Sequence, residues 1–146
     1  MKIKFKKLHE KAQVPQRANP TDAGYDLVAT SVYYEFHPTN TITYGTGLAI
    51  QVPEGYVGLL FPRSSVYKKD LSLANGIGVL DSGYQGEVKF IFRCTHEGLS
   101  PHTRKEYQVG DRIGQLIVMP IPELNFEEVE ELDSEDRGGG FGSTGA

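Results

Sequence analysis

The chain lacks the residues on which several protein classes depend. It has one cysteine, Cys94, and no tryptophan among its 146 residues. A single cysteine excludes an intramolecular disulfide framework and a zinc site built from several cysteines. Its four histidines are scattered without ligand spacing. Lys and Arg total 15 against 19 Asp and Glu, a formal net charge of −4, which argues against a general nucleic-acid-binding surface.

Long hydrophobic runs are absent as well. The longest apolar stretches, Val57–Phe61 and Leu116–Met119, are far too short to cross a bilayer as a helix. Met1–Lys7 alternates apolar and charged residues, and no apolar run follows it, so it does not have the pattern of a signal peptide. We interpret Cys94 as a reduced strand residue and expect a soluble protein of a reducing compartment, cytoplasmic by default, with no membrane association.

Glycine is abundant, and charge is unevenly distributed. The chain has 17 glycines, more than the usual ~7% of residues. Residues 1–11 hold five lysines and one acid, whereas residues 123–136 hold eight acids and no base. Without these two segments the basic and acidic residues are equal in number. Any anion site must therefore be built locally, from particular arginines or backbone amides.

Most of the chain has the composition of short β-strands. Apolar and aromatic segments are separated by Gly, Pro, Asn or Asp, and turn signals at 53–55, 82–83 and 109–111 mark where hairpins would close. Only Ser64–Leu71 could hold a short helix, and no long 3.6-residue period occurs. An all-β antiparallel sandwich, jelly roll or barrel is therefore predicted. The predicted strands are Lys2–Lys6, Tyr25–Ala29, Val32–Phe36, Thr41–Val52, Tyr56–Phe61, Glu87–Arg93 and Ile113–Ile121.

The C-terminal residues differ in composition from the rest. Residues 137–146 hold five glycines and no run of β-branched side chains, so they cannot fold alone. We expect a β-rich domain over residues 1–136 and a flexible arm over 137–146. The spacing Gly140-x-Gly142-x-x-Gly145 formally matches a dinucleotide-binding fingerprint, but no strand closely precedes it and no helical pattern follows.

The arm could bind an anion in another way. Successive glycine amides can converge on an anion as a nest. Ser143 and Thr144 add hydroxyl donors, and Arg137 adds a guanidinium that can grip a phosphate in two places. A solvated tail or linker is the alternative. Phe141 argues against that alternative, because it would expose a large apolar ring without need.

The segment Phe61-Pro62-Arg63-Ser64-Ser65 follows an apolar strand. Proline ends such a strand or lies at its edge. An arginine with two hydroxyl groups at a strand end suits a phosphate or a carboxylate. A surface arginine beside a serine N-cap is the alternative, and the segment alone does not decide between them.

Residues 75–87 predict a hairpin whose inner surface could hold a flat ligand. Asn75 and main-chain groups near Gly78 could read a base, and Tyr84 could pack on a sugar ring. Asp81 is the best candidate for a general base, provided that it faces the ligand. A plain hairpin with an aspartate in its turn is the alternative.

Two further segments place polar groups beside strands. Asp22 and Asp26 flank Gly24 where a loop enters a strand, and Mg²⁺ on phosphates is usually held by one or two carboxylates and water. Ordinary turn chemistry is the alternative. In Gly110–Leu116 a turn leads into a core strand, and Gln115 could donate to a phosphate only if it points into the same site.

Taken in order, these segments resemble the five motifs of the trimeric dUTPases. The resemblance spans residues 22–145, and the ordered set is highly specific. The segments that carry it are Ala23-Gly24-Tyr25-Asp26-Leu27, Pro62-Arg63-Ser64-Ser65, Gly78-Val79-Leu80-Asp81-Ser82-Gly83-Tyr84-Gln85-Gly86, Gly110-Asp111-Arg112-Ile113-Gly114-Gln115 and Arg137-Gly138-Gly139-Gly140-Phe141-Gly142-Ser143-Thr144-Gly145.

The resemblance implies a homotrimer of jelly-roll-like subunits with shared active sites. It implies Mg²⁺-dependent hydrolysis of dUTP to dUMP and pyrophosphate, a reaction that limits uracil incorporation into DNA and supplies dUMP for thymidylate synthesis. It implies no direct contact with nucleic acid. It also implies that Asp81 activates the water that attacks the α-phosphorus and that Asp26 binds water in the second shell of the metal.

The resemblance further assigns substrate contacts. Asn75 and the backbone near Gly78 and Leu80 would read uracil, in a hairpin too tight for the methyl group of thymine. Tyr84 would pack under the deoxyribose and leave no room for a ribose 2′-hydroxyl. The phosphate contacts would come from Arg63, Ser64, Ser65 and Gln115, with Ser64 and Gln115 of a neighbouring subunit, and from Arg137, Gly142, Ser143 and Thr144, while Phe141 would stack on uracil.

The chain departs from the family pattern at three positions. Ser65 stands where glycine is common, Gly83 where an acid is common, and Leu80 where isoleucine is more usual. None of these removes a proposed catalytic group. Two alternatives remain: a dCTP deaminase, which shares the fold, and a non-catalytic module that binds dUTP and a protein partner. The aspartate at position 81 and the glycine-rich arm argue against the deaminase.

Overall fold

The computed structural model describes residues 1–95 and 105–133. Across these residues the chain forms nine β-strands and one short 3₁₀ helix, Ser64–Lys68, which confirms the predicted all-β class and the predicted short helix. Within the same residues no helix is long and apolar enough to cross a membrane. The strands are β1 (Lys4–Lys7), β2 (Tyr25–Val28), β3 (Ser31–Glu35), β4 (Thr41–Gln51), β5 (Tyr56–Pro62), β6 (Leu71–Leu73), β7 (Gly78–Leu80), β8 (Glu87–Cys94) and β9 (Arg112–Pro120).

The strands form two antiparallel sheets. The first has the order β1-β4-β8-β6, and β3 also pairs with β4. The long strand β4 pairs with β3 along residues 41–45 and with β1 along residues 48–51. On its other edge, where it pairs with β8, the register shifts between these two halves. The second sheet has the order β2-β9-β5-β7.

The core lies between the two sheets. Burial alternates along β8, where Val88, Phe90, Phe92 and Cys94 are buried and the residues between them are exposed. This is the period of two that a strand with one buried face requires. Phe92 stacks on Phe90 and packs against Tyr44. Cys94 is a buried cysteine outside any disulfide and lies in β8, as expected for a strand residue.

The predicted turns occur, but the predicted hairpins at them do not. The Tyr56 N–H donates to the Pro53 carbonyl at 3.2 Å, and Gly55 has a φ of +75°, which glycine adopts at no steric cost. This turn connects β4 of the first sheet to β5 of the second. Residues 81–86 likewise connect β7 of the second sheet to β8 of the first, so residues 75–87 do not pair as a hairpin. The hairpin prediction was wrong because turn residues determine where the chain reverses but not which sheet the next strand joins.

Candidate functional site

A polar cleft of about 430 Å³ lies beside the second sheet, where β2, β9 and the end of β5 adjoin. It gathers four of the residues that the sequence singles out. They stand on different chain segments, so only the fold brings them together. The residues are Asp26, Arg63, Ser64 and Gln115, with Asp22 and Gly24 at the same opening.

The register of the second sheet positions these side chains. Asp26 of β2 lies opposite Gln115 of β9, and Gln115 lies opposite Phe61 of β5. The three positions therefore form one row across three strands. Pro62 has no N–H to donate to a further ladder step, so the chain leaves the sheet there. Arg63 consequently emerges at the strand end, next to the row.

Asp26 lies between two arginines. Its Oδ1 accepts from Arg63 Nε at 2.9 Å, and its Oδ2 accepts from Arg112 at 3.1 Å. The Asp26 side chain is 14% exposed and that of Arg63 27%, so solvent only partly screens this charge-assisted pair. Because Asp26 uses only the Nε of Arg63, the two terminal nitrogens of that guanidinium can bind a second anion.

Gln115 is fixed from two sides. Its Nε2 donates to the Pro62 carbonyl at 3.2 Å. A Cβ at position 24 would lie 2.1 Å from the Gln115 Oε1, closer than real atoms approach, so only glycine leaves the amide in place. Gly24 and Arg112 both lie within the sequence motifs, yet neither is predicted as a site residue. Their contacts depend on neighbours across the sheet, which no local pattern reveals.

Asn75 and Gly78 line a second cleft, of about 250 Å³, together with Leu60 and β8 residues. A Cβ at position 78 would lie 3.0 Å from the Leu60 Cβ, so the backbone approaches β5 closely there. The Leu80 side chain is only 3% exposed and belongs to the core. Leu80 could therefore contact a substrate only through its main chain.

Asp81 and Tyr84 share the loop after β7. The Tyr84 N–H donates to the Asp81 carbonyl at 3.1 Å and closes a turn. The Tyr84 hydroxyl donates to the Glu87 carbonyl at 3.0 Å, and its ring borders a third cleft, between this loop and the paired strands β1 and β4. Asp81 is exposed, and no hydrogen bond or ion pair joins its carboxylate to another residue in the described part of the chain.

One chain does not bring Asp81 to the arginine cleft. Leu80 pairs with Gly58, and Gly58 precedes Arg63 by five residues, or about 16 Å at about 3.3 Å per residue. Because β7 runs antiparallel to β5, the chain moves away from Arg63 as it reaches Asp81. The predicted general base and the predicted phosphate-binding residues are thus in two separate half-sites.

Ser65 and Tyr107 lie behind the arginine segment. Ser65 is on the 3₁₀ helix and partly buried. Tyr107 is 3% exposed, and its hydroxyl has no hydrogen-bond partner among the described residues. Burial raises the pKa of Tyr107, and the positive charge of Arg63 and the nearby Ser65 side chain partly offset that rise.

Five predicted site residues lie outside the described residues. They all belong to the glycine-rich arm, and their roles stay predictions. They are Arg137, Phe141, Gly142, Ser143 and Thr144.

The chain resembles known proteins over nearly its whole length. The family model described as dUTPase matches residues 10–145. A deoxyuridine 5'-triphosphate nucleotidohydrolase of Rhodococcus erythropolis is 44% identical over 147 residues, covering 99% of this chain and 87% of that protein. The protein of the same name from Nocardia farcinica is 42% identical, covering 98% of this chain and 85% of that protein.

Solved structures agree with the sequence matches. A dUTPase of Staphylococcus bacteriophage 80alpha, a mutant solved with dUpNHpp, has a TM-score of 0.82 at 30% identity and covers 99% of both chains. A dUTPase mutant from phage phi11 of S. aureus, whose structure describes the coordination of a structural Mg(II) ion, has a TM-score of 0.75 at 29% identity, covering 92% of this chain and all of that one. With a family model that matches residues 10–145 and relatives above 40% identity, this chain belongs to the dUTPase family.

Proposed function

We propose that this protein hydrolyses dUTP to dUMP and pyrophosphate. The observation that carries the proposal is the cleft in which Arg63, oriented by Asp26, stands with Ser64 and Gln115 in a chain of this family. A triphosphate brings about four negative charges, and oriented arginines stabilise such charge best in a site that is already organised. Outside residues 1–11 and 123–136, basic and acidic residues are equal in number. Particular local groups must therefore neutralise the charge of the triphosphate.

The active site is completed between copies of the chain. Asp81 and Arg63 belong to separate half-sites, so one subunit cannot place both groups on one substrate. We propose a homotrimer in which Ser64 and Gln115 of one copy face the Asp81 loop of another. Three equivalent interfaces of a closed ring would then form three equivalent sites.

Asp81 is the proposed general base. Its carboxylate accepts a proton from a water molecule as that water attacks the α-phosphorus. The bond from the α-phosphorus to the bridging oxygen breaks, and pyrophosphate leaves with that oxygen. An exposed carboxylate with no partner among the described residues is free to take this role once substrate covers it.

Mg²⁺ is the proposed cofactor. Among residues 1–95 and 105–133, no cluster of three or more His, Cys, Asp or Glu side chains could hold a metal ion, and both Asp26 oxygens accept from arginines. These residues fit an ion that arrives on the triphosphate with its own water shell, to which Asp26 would offer an acceptor. When bound, Mg²⁺ would neutralise charge on the phosphate oxygens.

The base and the sugar are recognised by the β7 region and the loop that follows it. Asn75 and main-chain groups near Gly78 and Leu80 would read uracil, and Tyr84 would pack against deoxyribose. Shape alone rejects an extra methyl group by only about 10–200-fold, so a rigid backbone wall is needed against thymine. In the arm, Arg137, Gly142, Ser143 and Thr144 would cap the γ-phosphate, with Phe141 stacked on uracil.

Pyrophosphate release from dUTP tests the function. We expect rapid release from dUTP and little from dTTP, dCTP or UTP. Asp81→Asn should abolish turnover but still bind dUpNHpp, because an asparagine cannot accept the proton of the attacking water. Retained turnover in Asp81→Asn would contradict the assignment of the base.

The same assay distinguishes the alternatives. Ammonia release from dCTP would identify a deaminase. Tight binding of dUTP by the wild-type protein without pyrophosphate release would identify a non-catalytic module. Glu54→Gln, in the exposed turn before β5, is the control substitution and should behave like the wild type.

A further inference from the structure

Gly86 lies directly beneath the ring of Tyr84. A Cβ at position 86 would lie 2.4 Å from the Tyr84 hydroxyl oxygen, 2.6 Å from its Cζ and 3.1 Å from its Cε2. Real Cβ atoms do not approach other atoms that closely, so the ring can keep this position only over a glycine. Gly86 does not have a positive φ. The requirement at this position is therefore one of space and not of backbone conformation.

The ring is held against the chain by its hydroxyl. The Tyr84 O–H donates to the Glu87 carbonyl at 3.0 Å. Glu87 begins β8 and is itself fixed, because its Oε1 accepts from the Gly47 N–H at 2.8 Å. One side of the ring is thus packed on the backbone, while 46% of the residue remains exposed.

Gly83, in the same loop, has room for a side chain, in contrast to Gly86. A Cβ there would have no heavy atom within 4 Å, and its φ is not positive either. An alanine at either position reduces the entropy of the unfolded chain in the same way. The two glycines therefore form a matched pair that differs only in what surrounds the added methyl group.

We propose that Gly86 is a positioning residue that sets the plane of the Tyr84 ring and thereby determines how strongly the site prefers deoxyribose to ribose. This inference rests on the proposed function, in which Tyr84 packs against the sugar. A ring whose hydroxyl end is held against Gly86 forms a fixed wall. A ring lifted by a methyl group loses its bond to the Glu87 carbonyl and no longer closes the space that a 2′-hydroxyl would occupy.

The change is expected to act on recognition more than on folding. The atoms that an alanine at position 86 would meet lie at the end of a long side chain that is half exposed, so the ring can swing away. Tyr84 does not belong to the buried core cluster or to the partly buried residues packed against it. We expect Gly86→Ala to fold with an unfolding midpoint close to that of Gly83→Ala.

Sugar discrimination in the two alanine variants tests the proposal. The measured quantity is the ratio of kcat/KM for dUTP to kcat/KM for UTP. We expect Gly86→Ala to lower this ratio by about tenfold or more, the scale of a lost steric selection, chiefly because kcat/KM for UTP rises once the 2′-hydroxyl has room. Gly83→Ala should keep the wild-type ratio, and a wild-type ratio in Gly86→Ala would overturn the proposal.

A double-mutant cycle shows whether Gly86 acts through the ring. In a Tyr84→Ala background the methyl group at position 86 no longer meets the ring, so adding Gly86→Ala should cause no further loss of discrimination. Independent, additive losses would overturn the proposal, because they would mean that Gly86 acts by another route.

A second variant covers the case in which Gly86→Ala does not fold. Tyr84→Phe removes the bond to the Glu87 carbonyl without adding an atom. It should lower the dUTP-to-UTP ratio, and it should weaken binding of dUpNHpp in calorimetry. If Tyr84→Phe kept both the wild-type dUTP-to-UTP ratio and the wild-type affinity for dUpNHpp, the bond to the Glu87 carbonyl would not hold the ring in place. If the wild-type protein does not hydrolyse dUTP at all, the proposed function fails before any variant is measured, so the two failures are distinct.

Discussion

At the scale of single residues, the site depends on what holds each charged group. Arg63 is oriented because Asp26 binds its Nε, and Asp26 is in turn bound by Arg112. Removing one member of a half-buried charge pair leaves the other without its partner. In the proposed reaction, the carboxylate at position 26 would therefore act on the substrate through the arginine as well as through any water that it binds.

Asp26→Asn tests this arrangement. An asparagine keeps the size of the side chain but lacks the charge that pairs with two guanidiniums, so Arg63 should lose its fixed orientation. We expect KM for dUTP to rise by about tenfold or more, in line with a lost charge-assisted hydrogen bond. Glu54→Gln, which removes a carboxylate from an exposed turn, is the control. Unchanged kinetics in Asp26→Asn would show that Arg63 is positioned by other groups.

Two buried tyrosines make a matched pair for stability. The Tyr44 hydroxyl donates to the Tyr107 carbonyl at 3.0 Å, whereas the Tyr107 hydroxyl has no described partner. We expect Tyr44→Phe to lower the free energy of unfolding by about 1 kcal/mol, and Tyr107→Phe to leave it unchanged or raise it. Urea denaturation measures both. A larger loss in Tyr107→Phe than in Tyr44→Phe would mean that the Tyr107 hydroxyl is hydrogen-bonded in solution.

At the scale of elements, the two sheets approach each other closely where β9 crosses β8. A Cβ at Gly114 would lie 2.2 Å from Cε1 of Phe90 and 2.9 Å from the Phe61 carbonyl oxygen. Phe90 is 1% exposed and is enclosed by the core, so it has little room to move. Gly114 therefore allows β9 to carry Gln115 into the cleft while the opposite sheet packs behind it.

Gly114→Ala should separate the sheets locally. Overpacking of a filled core costs about 1–3 kcal/mol, so we expect a lower urea midpoint together with weaker dUTP binding, because Gln115 moves with β9. Gly83→Ala supplies the control, since its methyl group would enter open space. If Gly114→Ala were as stable as Gly83→Ala, the close approach would be relieved by movements that cost little.

At the scale of the whole molecule, the decisive feature is the separation of the two half-sites. The arginine cleft and the Asp81 loop lie toward opposite ends of β5. Within the described residues of a single copy, the predicted phosphate-binding cleft therefore lies apart from the predicted general base. In the proposed homotrimer, assembly would turn these two incomplete surfaces into one site.

Mixing two inactive variants tests shared sites. Asp81→Asn subunits carry an intact Arg63, and Arg63→Ala subunits carry an intact Asp81. After unfolding and refolding together in equal amounts, about a quarter of the sites should combine the two intact groups if they come from different subunits of a closed ring. Pyrophosphate release near that fraction is expected. No recovery in trimers that have demonstrably mixed would place both groups in one subunit.

Some features of this protein are determined by the sequence alone. Alternating and apolar segments predict seven of the nine described strands, because a strand with one buried face must repeat every two residues; the three-residue strands β6 and β7 are too short to show a period and were not predicted. Cys94 lies in a strand, β8, as predicted, and the order of the five motifs is sufficient to indicate the family. These features can be predicted from the sequence because they depend on residue type and local spacing.

Other features are decided only by the tertiary structure. The turn at 53–55 and the loop at 81–86 connect different sheets instead of closing hairpins. The partners of Asp26, the lack of room for a side chain at Gly24 and the burial of Leu80 all follow from strand register. Strand pairing joins residues far apart in the chain, and its energy lies in packing that no local pattern encodes. For that reason the sequence specifies the site's residues, while the fold decides which of them meet.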